Sequence, residues 1–285
     1  MKARAAEFEI RHNTQVKRYQ DGSASLLCLE RPLIRARGWE EENPRTGDSD
    51  AFHDVRTPEE KAADNLQRSR RRARSAVADL ARSNPLDYFV TLTVDAAMLD
   101  RYDPAAVFAK LHIWLDNRVR RDGLLYVLIP ELHKDGAIHF HALVNDALAL
   151  VDSGTVIPPE GGRPRRPRSA QQRAEWLTAG GVIVYNLPGW KYGFSTALKL
   201  HGDRAAAIGY VTKYITKTQE KIGGRWYYSG GRLQRPDVWT TDLDFDQVVE
   251  NVTERDVFTI QELGCKAVKL WISGVIVDET LERFG

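Results

Sequence analysis

Apolar and polar positions change period several times along the chain, and each change marks an element. Residues 88–94 (YFVTLTV) and 138–144 (IHFHALV) are β-branched or aromatic, as strands are, and 124–129 forms another strand joined to the latter by a tight turn. Val107, Leu111, Trp114 and Leu115 recur at helical spacing, which predicts a helix from Pro104 to about Arg121. A longer helix opens at Thr57-Pro58-Glu59-Glu60, with threonine as N-cap, proline at the first helical position and Glu60 completing a capping box, and runs to about Arg82. Residues 182–185 read as a strand and 203–217 as a helix. Near the start, EFEIRH alternates, and Asp21-Gly22 makes a turn before SLLCLE. Strands interleaved with helices and including a hairpin predict an α+β fold, an antiparallel or mixed sheet with helices on one face.

Breakers interrupt this pattern twice. Residues 38–57 are polar and read as a linker; 151–181 loses periodicity and gains Pro, Gly and Arg, as an insertion or long loop with a short helix near Gln171–Leu177 would. The chain has 285 residues, 42% of them hydrophobic, enough for a real core, but no apolar run near the roughly 18 residues that span a bilayer. MKARAAEFEI lacks the apolar stretch of a secretory signal, so a cytoplasmic location in a bacterial cell is expected. Cys28 and Cys265 form no CxxC pair and are expected to be reduced. Basic and acidic residues nearly cancel, 41 against 39, yet they are unevenly spread. Arg68, Arg70, Arg71, Arg72 and Arg74 crowd one helix and Arg163 to Arg168 a Pro/Gly-rich stretch, which favours a polyanion partner.

Two constellations carry chemistry. In the strand 138–144, His139 and His141 share one face while Ile138, Phe140, Ala142 and Val144 share the other, so the imidazoles converge opposite a core face. A three-residue loop Lys134-Asp135-Gly136 would set Glu131 opposite His139 and make it a third ligand; a two-residue Asp-Gly loop would put Leu132 there instead. His133 is the next candidate ligand. Two histidines and a carboxylate with a phosphodiester substrate favour Mg2+ or Mn2+ over a closed zinc site. The second constellation is YVTKYITK, which places Tyr210, Lys213, Tyr214 and Lys217 on one helix face, beside an apolar stripe of Ile208, Val211 and Ile215. A phenol needs a neighbouring cation or base to act as a nucleophile at neutral pH, and each tyrosine has a lysine three residues on. The competing reading packs both tyrosines on the sheet with only their hydroxyls at the rim. Phosphate loops, GxSxG and HExxH are absent from the sequence.

In order along the chain, FVTLT (Phe89 to Thr93), HFHALV (His139 to Val144) and YVTKY (Tyr210 to Tyr214) resemble the three motifs of the HUH endonucleases, in particular rolling-circle replication initiators of the microvirus, filamentous-phage and plasmid type. The resemblance covers about 60–235 and implies an RRM-like central antiparallel sheet with the histidine strand in its middle and the tyrosine helix beside it. It also implies that His139, His141 and Glu131 bind the metal, that Tyr210 and Tyr214 are nucleophiles and that Lys213 is the family lysine. The organisation expected is an N-terminal β extension and linker (1–57), the endonuclease domain (58–235, with an insertion at about 151–181) and a C-terminal tail of no assigned role (236–285). The expected partners are single-stranded origin DNA, held covalently as a 5'-phosphotyrosine, and a host helicase and polymerase. In GGRWYYSGGRLQRP, Arg225, Trp226, Tyr227, Tyr228 and Arg232 have the composition of a single-strand groove, or of a hairpin with core aromatics. Trp190, Lys191 and Tyr192 are similar, and Arg70, Arg71 and Arg72 would grip duplex beside the nick. The alternatives are a transposase or relaxase with the same chemistry, a metal phosphodiesterase using water, and a non-catalytic RRM-like nucleic-acid-binding protein.

Overall fold

A computed structural model describes residues 8–10, 12–32, 34–36, 57–200, 204–217, 220–253, 256–260 and 265–272. The linker expected at 38–57 lies outside the described residues except for Thr57. The chain divides into two compact units, one made of Lys61–Arg235 and one of Met1–Glu60 with Pro236–Gly285.

The N-terminal part supplies β1 (Phe8–Ile10), β2 (Thr14–Arg18), β3 (Ala24–Leu29) and β4 (Ile34–Ala36). The Asp21-Gly22 turn joins β2 to β3, and Asp21 Oδ1 accepts from the Ser23 amide at 2.9 Å. Helix α1 (Pro58–Arg82) begins at the expected capping box, with the Thr57 amide donating to Glu60 Oε2 (2.7 Å) and the Glu60 amide to Thr57 Oγ1 (3.2 Å).

In the larger unit follow β5 (Tyr88–Val94), α2 (Pro104–Asp122), β6 (Tyr126–Leu132), β7 (Ile138–Val144), β8 (Val151–Ile157), α3 (Ala170–Thr178), β9 (Val182–Asn186), β10 (Gly193–Lys199), α4 (Arg204–Lys217) and β11 (Tyr228–Gly230). The strands make one seven-stranded antiparallel sheet in the order β11-β6-β7-β5-β10-β9-β8. The class is α+β, as expected, with β7 held between β6 and β5. Helices cover both faces rather than one. Phe108, Leu111 and Leu115 of α2 pack on Val90, Leu92, Ile138 and Phe140, whereas Val77 and Leu80 of α1 and Val211 and Ile215 of α4 pack on Val127, Ile129 and Leu143. The reason lies in β6 and β7, where every residue from Tyr126 to Pro130 and from Ile138 to Val144 is buried: a strand apolar on both sides must be covered on both.

The stretch 151–181 is not a long loop throughout. Its first seven residues are the edge strand β8, paired with β9, and a register shift between Asp152 and Thr155 removes the period-two signature that would have marked it. Strand β10 also lies outside the elements expected from the pattern, and with it goes the role of Trp190. That side chain is buried edge-on to Trp114 and donates from Nε1 to the Thr93 carbonyl at 3.3 Å, so it is core and not a DNA contact. Gly193 starts β10 at φ +151° so close to β5 that a Cβ would overlap the carbonyl oxygen of Thr93. Gly193→Ala is therefore expected to destabilise this unit by about 2 kcal/mol or more, read from urea unfolding.

The tail completes the other unit. Strands β12 (Asp237–Thr241), β13 (Val257–Ile260) and β14 (Cys265–Ile272) join the β2–β3 hairpin in the order β12-β2-β3-β14-β13, and Val248 of α5 (Phe245–Glu250) packs on Val16, Leu26, Cys28 and Val268. Both cysteines are buried and free.

Candidate active site

The hairpin between β6 and β7 decides which side chains meet. Gly136 adopts φ +85°, its amide donates to the His133 carbonyl (2.9 Å), and the His133 amide donates to the Ala137 carbonyl (2.8 Å). Those bonds close a three-residue loop and pair Glu131 with His139. Because directly opposed residues share a face, Thr93, His139 and Glu131 form one row across β5, β7 and β6, and Thr91, His141 and Ile129 the next.

Within this lattice His139 and His141 are only 7% and 6% exposed, with ring centroids 4.7 Å apart. The His133 ring lies 4.5 Å from that of His139. Thr93 Oγ1 is 3.0 Å from His139 Nδ1 and Thr91 Oγ1 is 3.3 Å from His141 Nδ1. His141 Nε2 lies 2.8 Å from Glu131 Oε2, while Lys217 Nζ lies 3.5 Å from Glu131 Oε1. A carboxylate only accepts, so His141 Nε2–H donates to it and His141 Nδ1 accepts from Thr91. The two threonines are functional candidates that the sequence reading leaves out. A signal for them exists: Thr91 and Thr93 are polar positions in the alternation of a strand whose other face is wholly apolar.

Burial, followed by the neighbouring His141 and His133, pushes His139 down to about 3; burial, followed by Lys217 and His133, pushes His141 down to about 3. Both are therefore neutral across the physiological range, the form in which imidazole ligates a cation. The same shifts fix a pH dependence. Above pH 6.5 each ring is neutral in folded and unfolded chains alike and contributes no slope. As pH falls from 6.5 towards 3, the unfolded chain takes up protons that the folded one refuses, so stability declines by up to about 1.4 kcal/mol per pH unit for each histidine. Urea unfolding with chelator present at pH 7 and pH 5 is expected to show this loss, and the slope is expected to flatten in the His139→Gln, His141→Gln double variant.

Helix α4 lies over β6 and β7. Its stripe of Ile208, Val211 and Ile215 is buried, as its period requires. The two tyrosines differ sharply. Tyr214 is 6% exposed and stacks on His141 with centroids 3.7 Å apart; Tyr210 is 52% exposed and meets Phe89 edge-on at 5.4 Å. Tyr214 Oη donates to Tyr210 Oη at 2.6 Å. Burial, that hydrogen bond and the charges of Tyr210 and Glu131 raise the Tyr214 phenol above its ordinary range, so it stays protonated and remains a donor. Lys217 Nζ sits 4.6 Å over the Tyr214 ring, and Lys213 is exposed on the same helix. The fold thus gathers Glu131, His133, His139, His141, Tyr210, Tyr214 and Lys217 at one place. Among the described residues, no three His, Cys, Asp or Glu side chains stand around one point as a finished metal cage.

The aromatic stretch after α4 behaves differently from a stacking groove. Trp226 and Tyr228 are both 6% exposed, on opposite faces of the sheet, because alternation in and before β11 turns each towards a core. Trp226 Nε1 donates to Ser69 Oγ at 3.0 Å, and the Arg70 guanidinium lies over its ring at 5.1 Å, so Arg70 packs here too. Arg225 and the half-buried Tyr227 line a surface cavity of about 300 Å³ together with Lys221, and Arg71, Arg72 and Arg232 are exposed.

An antiparallel sheet bearing paired histidines, opposed by a helix bearing paired tyrosines, is the class of site this unit presents. Residues 87–219 match the family model for the replication-associated protein ORF2, and this segment belongs to the rolling-circle replication initiator proteins. No curated protein and no solved structure gives a significant match. The role that follows from the family is initiation of DNA replication, with DNA as partner. Among the described residues no helix is long and apolar enough to cross a membrane.

Proposed function

We propose that the chain is a metal-dependent, site-specific single-strand DNA endonuclease that nicks and rejoins an origin through a 5'-phosphotyrosine. The observation that carries this reading is the exposed Tyr210 phenol, held by Tyr214 against the face that bears His139, His141 and Glu131. In the reaction, Tyr210 Oη loses its proton and attacks the scissile phosphorus. The P–O bond to the 3' side breaks, the departing oxygen takes up a proton as a free 3'-hydroxyl, and the phosphate stays on the tyrosine. The bond energy is kept for rejoining. Tyr214 solvates the oxygen that becomes negative, and Lys217 and Lys213 add positive charge near the phosphate.

The donor set of two neutral imidazoles backed by threonine hydroxyls and one carboxylate fits a divalent cation of the Mg2+ or Mn2+ type. His139, His141 and Glu131 would hold it, with His133 as the nearest further donor. When bound, such an ion polarises the phosphate oxygens. Loading it requires the 2.8 Å bond between His141 and Glu131 to give up its proton.

The direct test incubates the protein with labelled single-stranded origin oligonucleotides and Mn2+ or Mg2+, with and without chelator, on a denaturing gel. A chelator-sensitive protein-linked band supports the proposal. Cleavage without an adduct would mean that water attacks, and binding alone would leave a recognition module.

A further inference from the structure

Phe194 is the most exposed large apolar side chain among the described residues, at 70%. Its place in the sheet is particular. Strand β10 pairs Phe194 with Thr93, and β5 pairs Thr93 with His139, which pairs with Glu131. The phenyl ring therefore extends the row of candidate ligands by one strand, on the same face, roughly 10 Å or two inter-strand spacings from His139. Helix α4 covers β6 and β7 and leaves Phe194 and its face neighbour Thr196 exposed.

The backbone beneath this ring is fixed on every side. Gly193 abuts Thr93 too closely for a side chain, the Asp95 amide donates to the Tyr192 carbonyl (2.9 Å), and Ser195 Oγ accepts from the Leu187 amide (2.9 Å). A rigid strand that holds an aromatic out in solvent costs the fold apolar exposure and contributes nothing to its core. The same arrangement presents a preorganised flat surface for a planar ligand beside the site where a phosphate would react.

Resting on the active-site reading above, we propose that Phe194 is a base-stacking platform for the single-stranded DNA, holding a base about one or two nucleotides from the scissile phosphate. Every base has a π-face, so the contact fixes the strand's path across the sheet without reading its sequence.

The test is fluorescence anisotropy of a fluorescein-labelled oligo(dT) of about a dozen nucleotides with the full chain in chelator, so that binding is separated from cleavage. Phe194→Ala and Phe194→Leu are expected to weaken binding about 5- to 100-fold, and Phe194→Tyr to stay within about two-fold of the parent. Thermal melting is expected to be unchanged, because the side chain supports no core. Equal binding by Phe194→Ala, or leucine serving as well as tyrosine, would overturn the proposal. So would Phe194-dependent self-association in sedimentation with no change in DNA affinity. The two readings fail separately: weakened binding in Phe194→Ala with no adduct from the parent protein keeps the platform and sinks the nucleophile, whereas an adduct with unchanged Phe194→Ala binding does the reverse.

Discussion

Tyr210→Phe is expected to abolish the covalent protein–DNA band, lowering adduct formation by at least about 10³-fold, while Tyr214→Phe lowers it only about 10- to 100-fold. The asymmetry follows from where the two hydroxyls sit. Tyr210 is half exposed and can reach a phosphate; Tyr214 is buried on His141 and spends its proton on Tyr210. Removing the Tyr214 hydroxyl takes one hydrogen bond from an oxygen that becomes charged, which is worth about 1.5–3 kcal/mol. Removing the Tyr210 hydroxyl takes away the attacking atom. Adduct yields at short times on origin oligonucleotides, with peptide mapping of the linked tyrosine, measure both. A map showing Tyr214 as the first linked residue would reverse the assignment.

His139→Ala is expected to reduce Mn2+-dependent nicking by about 10³-fold, and Thr93→Val to weaken Mn2+ binding about 10- to 100-fold while leaving the metal-free fold intact. The two effects have different origins. His139 is a candidate ligand, whereas Thr93 touches its far nitrogen and holds the ring in place. Calorimetric titration of Mn2+ into each variant reads the affinities directly. Rescue of Thr93→Val by Thr93→Ser would tie its effect to the hydroxyl. A Thr93→Val protein that binds Mn2+ like the parent would show the threonine to be packing alone.

Much of this site is legible in the chain because its parts are local. The bounds of β5 and β7 and the capped start of α1 follow from period and from residue-specific backbone preferences acting over a few residues. The pairing of Glu131 with His139 is equally local, since a three-residue loop ending in glycine leaves one register. The tyrosine face of α4 comes from helical spacing alone.

Other features depend on what comes from far along the chain. Trp226 and Tyr228 have the composition of a nucleic-acid groove, but which way an aromatic turns is decided by what covers each face of β11, and here that is α1 and α2. Phe194 reads as one more strand residue until β10 is placed against β5. The two helices on opposite faces, and the tail strands joined to the β2–β3 hairpin, are likewise pairings between segments distant in sequence. Short-range sterics and hydrogen bonding set the α+β class, the histidine and tyrosine elements and the register between Glu131 and His139, so the order of residues was enough to read them. The burial of Tyr214, the openness of Tyr210 and the division of the aromatics between core and surface came instead from packing, because burial is a property of the whole covered sheet and not of any segment in it.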